Sequence, residues 1–125
     1  MDEVKLTLPS TPEFLRLARV TASGLASRMG FTVDEVEDLR LAIDELCFAL
    51  TGNPPPDGTV ELMYRLKGTG LEVEGVGHFN GGVSRPLTLT DLSERILDAL
   101  VDEHELRTDN GLPRFRFVKN RHSTA

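Results

Sequence analysis

Residues 32–50 read Thr-Val-Asp-Glu-Val-Glu-Asp-Leu-Arg-Leu-Ala-Ile-Asp-Glu-Leu-Cys-Phe-Ala-Leu, a stretch whose every local signal specifies one helix. Thr32 and Glu35 stand at the two positions of a capping box, where a hydroxyl and a carboxylate satisfy otherwise unpaired backbone N–H groups reciprocally. Phe31 and Val36 flank that cap at staple positions. Val36, Leu39, Ile43, Leu46 and Leu50 recur at steps of three and four, which predicts one buried stripe. Asp34, Glu35, Glu37, Asp38, Asp44 and Glu45 fall largely off it. Acids in the first turn suit the helix dipole, whereas Asp44 and Glu45 lie beyond its reach. A solvated face is the plain reading of an isolated acid, and Glu45 asks for a reason of its own.

Around this helix the chain alternates periods. Val4, Leu6 and Leu8 alternate with polar residues and predict a strand ended by Pro9. Ser10-Thr11-Pro12-Glu13 reads as a helix start with a hydroxyl cap and proline in the first turn. Leu15, Ala18, Ala22, Leu25 and Met29 mark its stripe, Gly30 its C-terminal stop. The small residues Ala18, Ala22, Ser23 and Gly24 suit close approach of another element. Pro54, Pro55 and Pro56 predict a stiff connection.

Val60, Leu62, Tyr64 and Leu66 alternate as a second strand, Lys67-Gly68-Thr69-Gly70 as a hairpin turn, and residues 71–74 as a third strand. Thr90-Asp91 caps a third helix with Leu92, Ile96 and Leu100 at four-residue spacing, widened by Leu97 and Val101. Asp102-Glu103-His104-Glu105 is polar and ends that helix. Leu106 opens a short strand, Asp109-Asn110-Gly111 turns, and Phe115 and Phe117 face inward on a last strand. Residues 121–125 read as a frayed tail. Hairpins with helices of one-sided apolarity imply a two-layer α/β sandwich, one mostly antiparallel sheet with helices on a single face.

The 125 residues suit one domain, placed at residues 1–120, with a core that needs no staples. A net charge of −6 argues against nonspecific DNA or RNA binding and favours a basic partner. The basic residues Arg114, Arg116, Lys119 and Arg121 lack the exposed aromatics of a nucleic-acid platform. Cys47 is the single cysteine, so no intrachain disulfide forms, and its position beside the stripe suits a small core residue. No apolar run is long enough to cross a bilayer and no signal-peptide pattern opens the chain, which points to a cytoplasmic bacterial-style protein. His78 has no ligand-spaced neighbours and reads as an exposed loop histidine.

The run from Arg19 to Leu50 resembles the anti-sigma factors built on the histidine-kinase-like (GHKL, or Bergerat) ATPase fold. In that family a Glu on the second helix is the general base and an Asn one turn later holds magnesium. Glu45 matches the Glu, and Ala49 occupies the Asn position. The family's Arg-Val-Thr matches Arg19-Val20-Thr21 at equal spacing from the Glu. The resemblance assigns that Arg to contact with an anti-anti-sigma partner, with Arg16 and Thr21 beside it. A solvated arginine is the alternative.

The family's Asp-x-Gly-x-Gly adenine loop matches at Gly75 and Gly77, with Val73 where the Asp would accept the adenine amino group. Glu74 is one residue off and belongs to the opposite face of a strand. Residues 78–86 take the place of the nucleotide lid and lack its glycine-rich phosphate loop. Gly68-Thr69-Gly70-Leu71 imitates that loop but joins two strands.

The resemblance thus implies three functions. The first is an anti-sigma factor acting mainly by binding, which sequesters an alternative sigma factor and is released by a STAS-type anti-anti-sigma protein, with no cofactor or metal. The second is an active serine/threonine kinase of that antagonist, using ATP and Mg. The third is a non-transcriptional interaction module on a degenerate ATPase fold. Losing metal ligand, adenine anchor and phosphate loop together favours the first, because phosphoryl transfer needs the metal to neutralise phosphate oxygens. A second copy of the chain is a further candidate partner.

Overall fold

Two tight turns set the sheet. Gly68 at φ 56° closes the hairpin between β2 (Gly58–Lys67) and β3 (Gly70–Phe79). Asn110 and Gly111, at φ 52° and 79°, close the hairpin between β4 (Glu103–Asp109) and β5 (Leu112–Asn120). Two successive positive φ values match the right-handed twist of paired strands, hence the Asn-Gly pair. The computed structural model describes residues 2–81 and 87–122. With β1 (Asp2–Pro9) these strands form one five-stranded sheet in the order β1-β2-β3-β5-β4. Every ladder in it is antiparallel.

Three helices, α1 (Pro12–Arg28), α2 (Val33–Thr51) and α3 (Asp91–Leu100), cover one face of the sheet. Alternate strand residues Val60, Leu62, Tyr64, Leu71, Val73, Phe115 and Phe117 are fully buried against Ala18, Ala22, Leu39, Ile43 and Leu46. The Tyr64 hydroxyl stays satisfied there by donating to the Ala18 carbonyl at 2.8 Å. The opposite sheet face is charged. Glu72 accepts from Arg116 Nε at 2.7 Å, Arg65 Nη1 at 3.0 Å and Lys67 Nζ at 3.1 Å. Arg65 also pairs with Glu3 at 2.9 Å and Arg116 with Glu103 at 3.3 Å. That ladder of opposite charges crosses all five strands and explains why helices cover only the other side.

The second helix is capped as its sequence demands. Thr32 N–H donates to Glu35 Oε1 at 2.8 Å, and Glu35 N–H donates to Thr32 Oγ1 at 3.1 Å. Leu39, Ile43, Leu46 and Leu50 are buried, as is Cys47. Burial pushes the Cys47 thiol up to about 12, so it packs as a core residue and is not a nucleophile.

Elsewhere the local signals need correction. Thr11 sits at the α1 N-cap but its side chain caps nothing, and the Ser10 hydroxyl donates instead to the Pro56 carbonyl. Gly24 is exposed with nothing near it, so close packing is confined to Ala18, Ala22 and Ala26. On α3 the spacing of Leu92 and Ile96 is that of an outward face, and Leu97 with Val101 fills the core. The polar run at 102–105 does not merely end α3, because β4 already begins at Glu103. β3 runs on to Phe79, so Gly75, Gly77 and His78 lie in a strand, with His78 exposed.

Two residues of the expected tail are tethered. Arg121 Nη1 donates to the Met29 carbonyl at 2.9 Å, and His122 N–H donates to Glu35 Oε2 at 2.7 Å. Residues 123–125 lie outside the described residues, as do residues 82–86 of the expected lid.

Candidate functional site

The C-terminal half of α2 separates two clefts. Its outward residues Asp44, Glu45 and Phe48 are three and four apart, so helical geometry stacks them on neighbouring strips of one surface. Beneath them Ile43, Leu46, Cys47 and Leu50 anchor the helix to the core. Phe48, Gly52 and Asn53 line both clefts.

The first cleft, about 420 Å³, lies between α1 and α2 and is floored by Leu15 and Cys47. Arg16 and Arg19 rise from its α1 wall. Arg19 pairs with Asp44, Nε to Oδ1 at 3.2 Å, and is 28 % exposed. Its backbone carbonyl accepts from the Ser23 hydroxyl at 2.8 Å. Partial burial pushes the Asp44 carboxyl above its ordinary value, against the pull of Arg19 and Arg40. Arg19 is therefore neither simply solvated nor locked in the core: it is half-buried, with a partner it can exchange. Thr21 is partly buried one position past Val20, which is largely exposed. Asp44 was visible in the sequence only as an acid off the stripe, and nothing local pairs it with a residue 25 positions earlier.

The second cleft, about 360 Å³, lies between α2 and the start of α3. Glu45 enters it half-buried, and its carboxylate accepts from the Ser93 hydroxyl. Thr90 caps α3 by accepting from Ser93 N–H at 3.0 Å, and its hydroxyl donates to Ser93 Oγ at 3.0 Å. Glu45 thus ends a chain of hydroxyls that holds the first turn of α3 against α2. The remaining lining includes Ala49, Asn53, Thr88 and Leu89, and among the described residues no Lys or Arg joins them. The described residues of the cleft, a carboxylate without a cation, offer nothing to neutralise phosphate oxygens. Among the described residues no cluster of three or more His, Cys, Asp or Glu side chains is placed to hold a metal ion.

Gly75 and Gly77 face the helices, since their sheet partners Leu62, Phe115 and Val60 are all buried. A Cβ on Gly75 would meet the Phe115 ring at 2.3 Å, and one on Gly77 would meet the Phe79 ring at 2.5 Å and Pro113 at 3.0 Å. The room that these glycines leave is taken by the protein's own aromatic rings. Val73 is wholly buried in the core between Tyr64 and Phe117. Arg19 and Glu45 therefore come together around Phe48, while Gly75 and Gly77 belong to the packing of the sheet. Ser93 and Phe48 are the site residues that sequence reading missed. Ser93 could have been found as the third residue after a Thr cap, but its reach to Glu45 could not.

No protein-family model matches the chain. The serine-protein kinase RsbW of Bacillus pumilus is 29% identical over 133 aligned residues, covering 90% of this chain and 82% of the relative. RsbW of Listeria monocytogenes serovar 1/2a is 30% identical over 130 residues, covering 89% and 83% respectively. RsbW of Bacillus subtilis strain 168 is 48% identical over a shorter span of 46 residues. Among solved structures, that of the RsbU and RsbW domains of Rv1364c from Mycobacterium tuberculosis superposes with a TM-score of 0.71 at 17% identity. It covers 96% of this chain and 32% of the longer one, and it shows the fold, an α/β sandwich of the histidine-kinase-like kind. Identity to the Listeria protein over 83% of that protein's length shows that the chain belongs to the RsbW serine-protein kinase family.

Proposed function

We propose that the chain is an anti-sigma factor that works in the cytoplasm by binding alone. It occludes an alternative sigma factor and is released when a STAS-type anti-anti-sigma protein captures it, with Arg19 at the contact surface and no phosphate transfer. The observation that carries the reading is the engagement of Glu45 by Ser93, in a cleft that has Ala49 where the family resemblance puts the metal ligand and no cation among the described residues of its lining. The aromatic rings packed over Gly75 and Gly77 support it from the adenine side. The described residues of this cleft, with Ala49 and no cation, do not fit ATP with magnesium. For Arg19 the exchangeable pairing with Asp44 suits a contact in which a partner's carboxylate replaces Asp44. The retained Glu45 favours a second reading, a serine kinase acting on the antagonist with ATP and Mg.

The experiment is a reconstituted transcription assay with purified sigma factors, run beside phosphate transfer from labelled ATP to the antagonist. Inhibition of one sigma factor by both the parent and Glu45→Gln, with no phosphoserine on the antagonist, is expected. Arg19→Ala should weaken capture by the antagonist while the fold stays native. Magnesium-dependent transfer by the parent that vanishes in Glu45→Gln would overturn the reading in favour of the kinase. Absence of inhibition of any sigma factor would overturn both.

A further inference from the structure

We propose that the cleft between α2 and α3 is a binding site for a small organic cation, an alkylguanidinium or alkylammonium held on the Glu45 carboxylate beside Phe48. The inference goes beyond the anti-sigma reading and rests on it in one respect, that ATP with magnesium does not occupy this cleft.

Three features of α2 converge on positive charge. Glu45 brings a full negative charge, and among the described residues it has no ion-pair partner. Ser93 engages only Oε1, which leaves Oε2 open to a second donor. Phe48 stands three residues on, 64 % exposed and lining the same cleft. Helical spacing puts its Cβ about 5–6 Å from that of Glu45, so one cation can meet the carboxylate within reach of the ring. The last turn of α2 lines the cleft as well, ending at the capping Gly52, and it carries no basic residue. The negative end of a 19-residue helix dipole is thus unanswered by any side chain of that turn.

The facing helix does not reverse the sign. Its N-terminus brings about half a positive charge, which Asp91 and Glu94 in the first turn outweigh. Asn53, Thr88, Thr90 and Ser93 add side-chain oxygens to the lining, acceptors suited to the several N–H donors of a guanidinium or ammonium. Phe48 and Leu89 offer apolar surface to a short alkyl stem. At about 360 Å³ the cleft has the size of a small-molecule site.

The test is an amide chemical-shift titration of the full chain with butylguanidinium and, separately, butylammonium, with neutral butanol as the control. Saturable shifts confined to residues 45–53 and 88–93 are expected with both cations and absent with butanol. Glu45→Gln should weaken binding about tenfold, the worth of a charge-assisted hydrogen bond. Phe48→Leu should weaken it about threefold, the worth of an exposed cation–π contact. Unfolding midpoints near the parent value in both variants keep these losses apart from misfolding. Shifts spread over the acidic surface, or binding unchanged in both variants, would overturn the site and leave the anti-sigma reading standing. Saturable binding of ATP with magnesium to the same residues would overturn both. A blocked arginine tripeptide that binds about ten times more tightly than butylguanidinium would assign the cleft to a basic side chain of a protein and overturn the small-molecule assignment.

Discussion

The Ser93 hydroxyl donates to the Glu45 carboxylate across 48 residues of chain, joining the first turn of α3 to the outer strip of α2. A residue that the family resemblance marks as a base is thereby engaged in holding a helix. Only Leu97 of α3 is fully buried, so this polar tie bears a larger share of its docking than it would on a well-buried helix. Ser93→Ala should cost about 1 kcal/mol, the usual worth of a side-chain hydrogen bond. Amide hydrogen exchange should quicken in residues 91–100 and stay unchanged in α2. Exchange at parental rates in α3 would show that the tie is dispensable.

The orientation of α3 is open to a second check. Leu97→Ala should destabilise by about 2–4 kcal/mol, since a fully buried leucine leaves a cavity. Leu92→Ala, at a side chain 68 % exposed, should stay within about 0.5 kcal/mol. Urea unfolding of the two variants measures both, and equal losses would contradict the assigned face.

Gly75→Ala should be harmful for a packing reason. Its Cβ would come within 2.3 Å of the fully buried Phe115 ring. Overpacking of that kind costs about 1–3 kcal/mol. Gly77→Ala meets the partly buried Phe79 ring, which has more room to turn, and should cost less. Adding Phe115→Leu to Gly75→Ala should recover part of the loss. A denaturation midpoint unaffected by Gly75→Ala would refute this account of the glycine.

Acid should unfold the protein through two carboxylates. Burial raises Glu35, but N–H groups of Thr32 and His122 outweigh it and leave the group below its ordinary value. At Glu72 burial is likewise outweighed, by Lys67, Arg116 and Arg65. A lowered folded value means that the unfolded chain binds protons first as pH falls. The stability that these groups contribute is complete above the unfolded value of 4.5 and is lost as pH drops through their folded values. Urea midpoints should hold from neutral pH to about 5 and then decline. Glu72→Gln should flatten that decline and remove about 2 kcal/mol at pH 7, less than a fully buried pair because solvent reaches its cations. A parallel decline in parent and variant would show that Glu72 does not drive it.

Much of the fold was determined by the sequence alone. The capping box at Thr32 and Glu35, the stripe from Leu39 to Leu50, and the Asn110-Gly111 turn are local, and each satisfies its own backbone or buries its own face within a few residues. Period and turn chemistry therefore reach the same element that forms. Arg19 and Glu45 were singled out only through the family resemblance, whose motif carries both on one helical hairpin.

What tertiary structure alone decided involves partners distant in the chain. The face that α3 buries depends on where β5 and α2 stand, and its apolar residues point both ways, so spacing could not choose between Leu92 and Leu97. The rings over Gly75 and Gly77 come from positions 115 and 79, and the first of these arrives only when β5 inserts between β3 and β4. Glu45 meets Ser93, Arg19 meets Asp44 and Glu35 meets His122 for the same reason. Hydrogen bonds and ion pairs act over about 3 Å, whereas sequence pattern records only neighbours along the helix or strand.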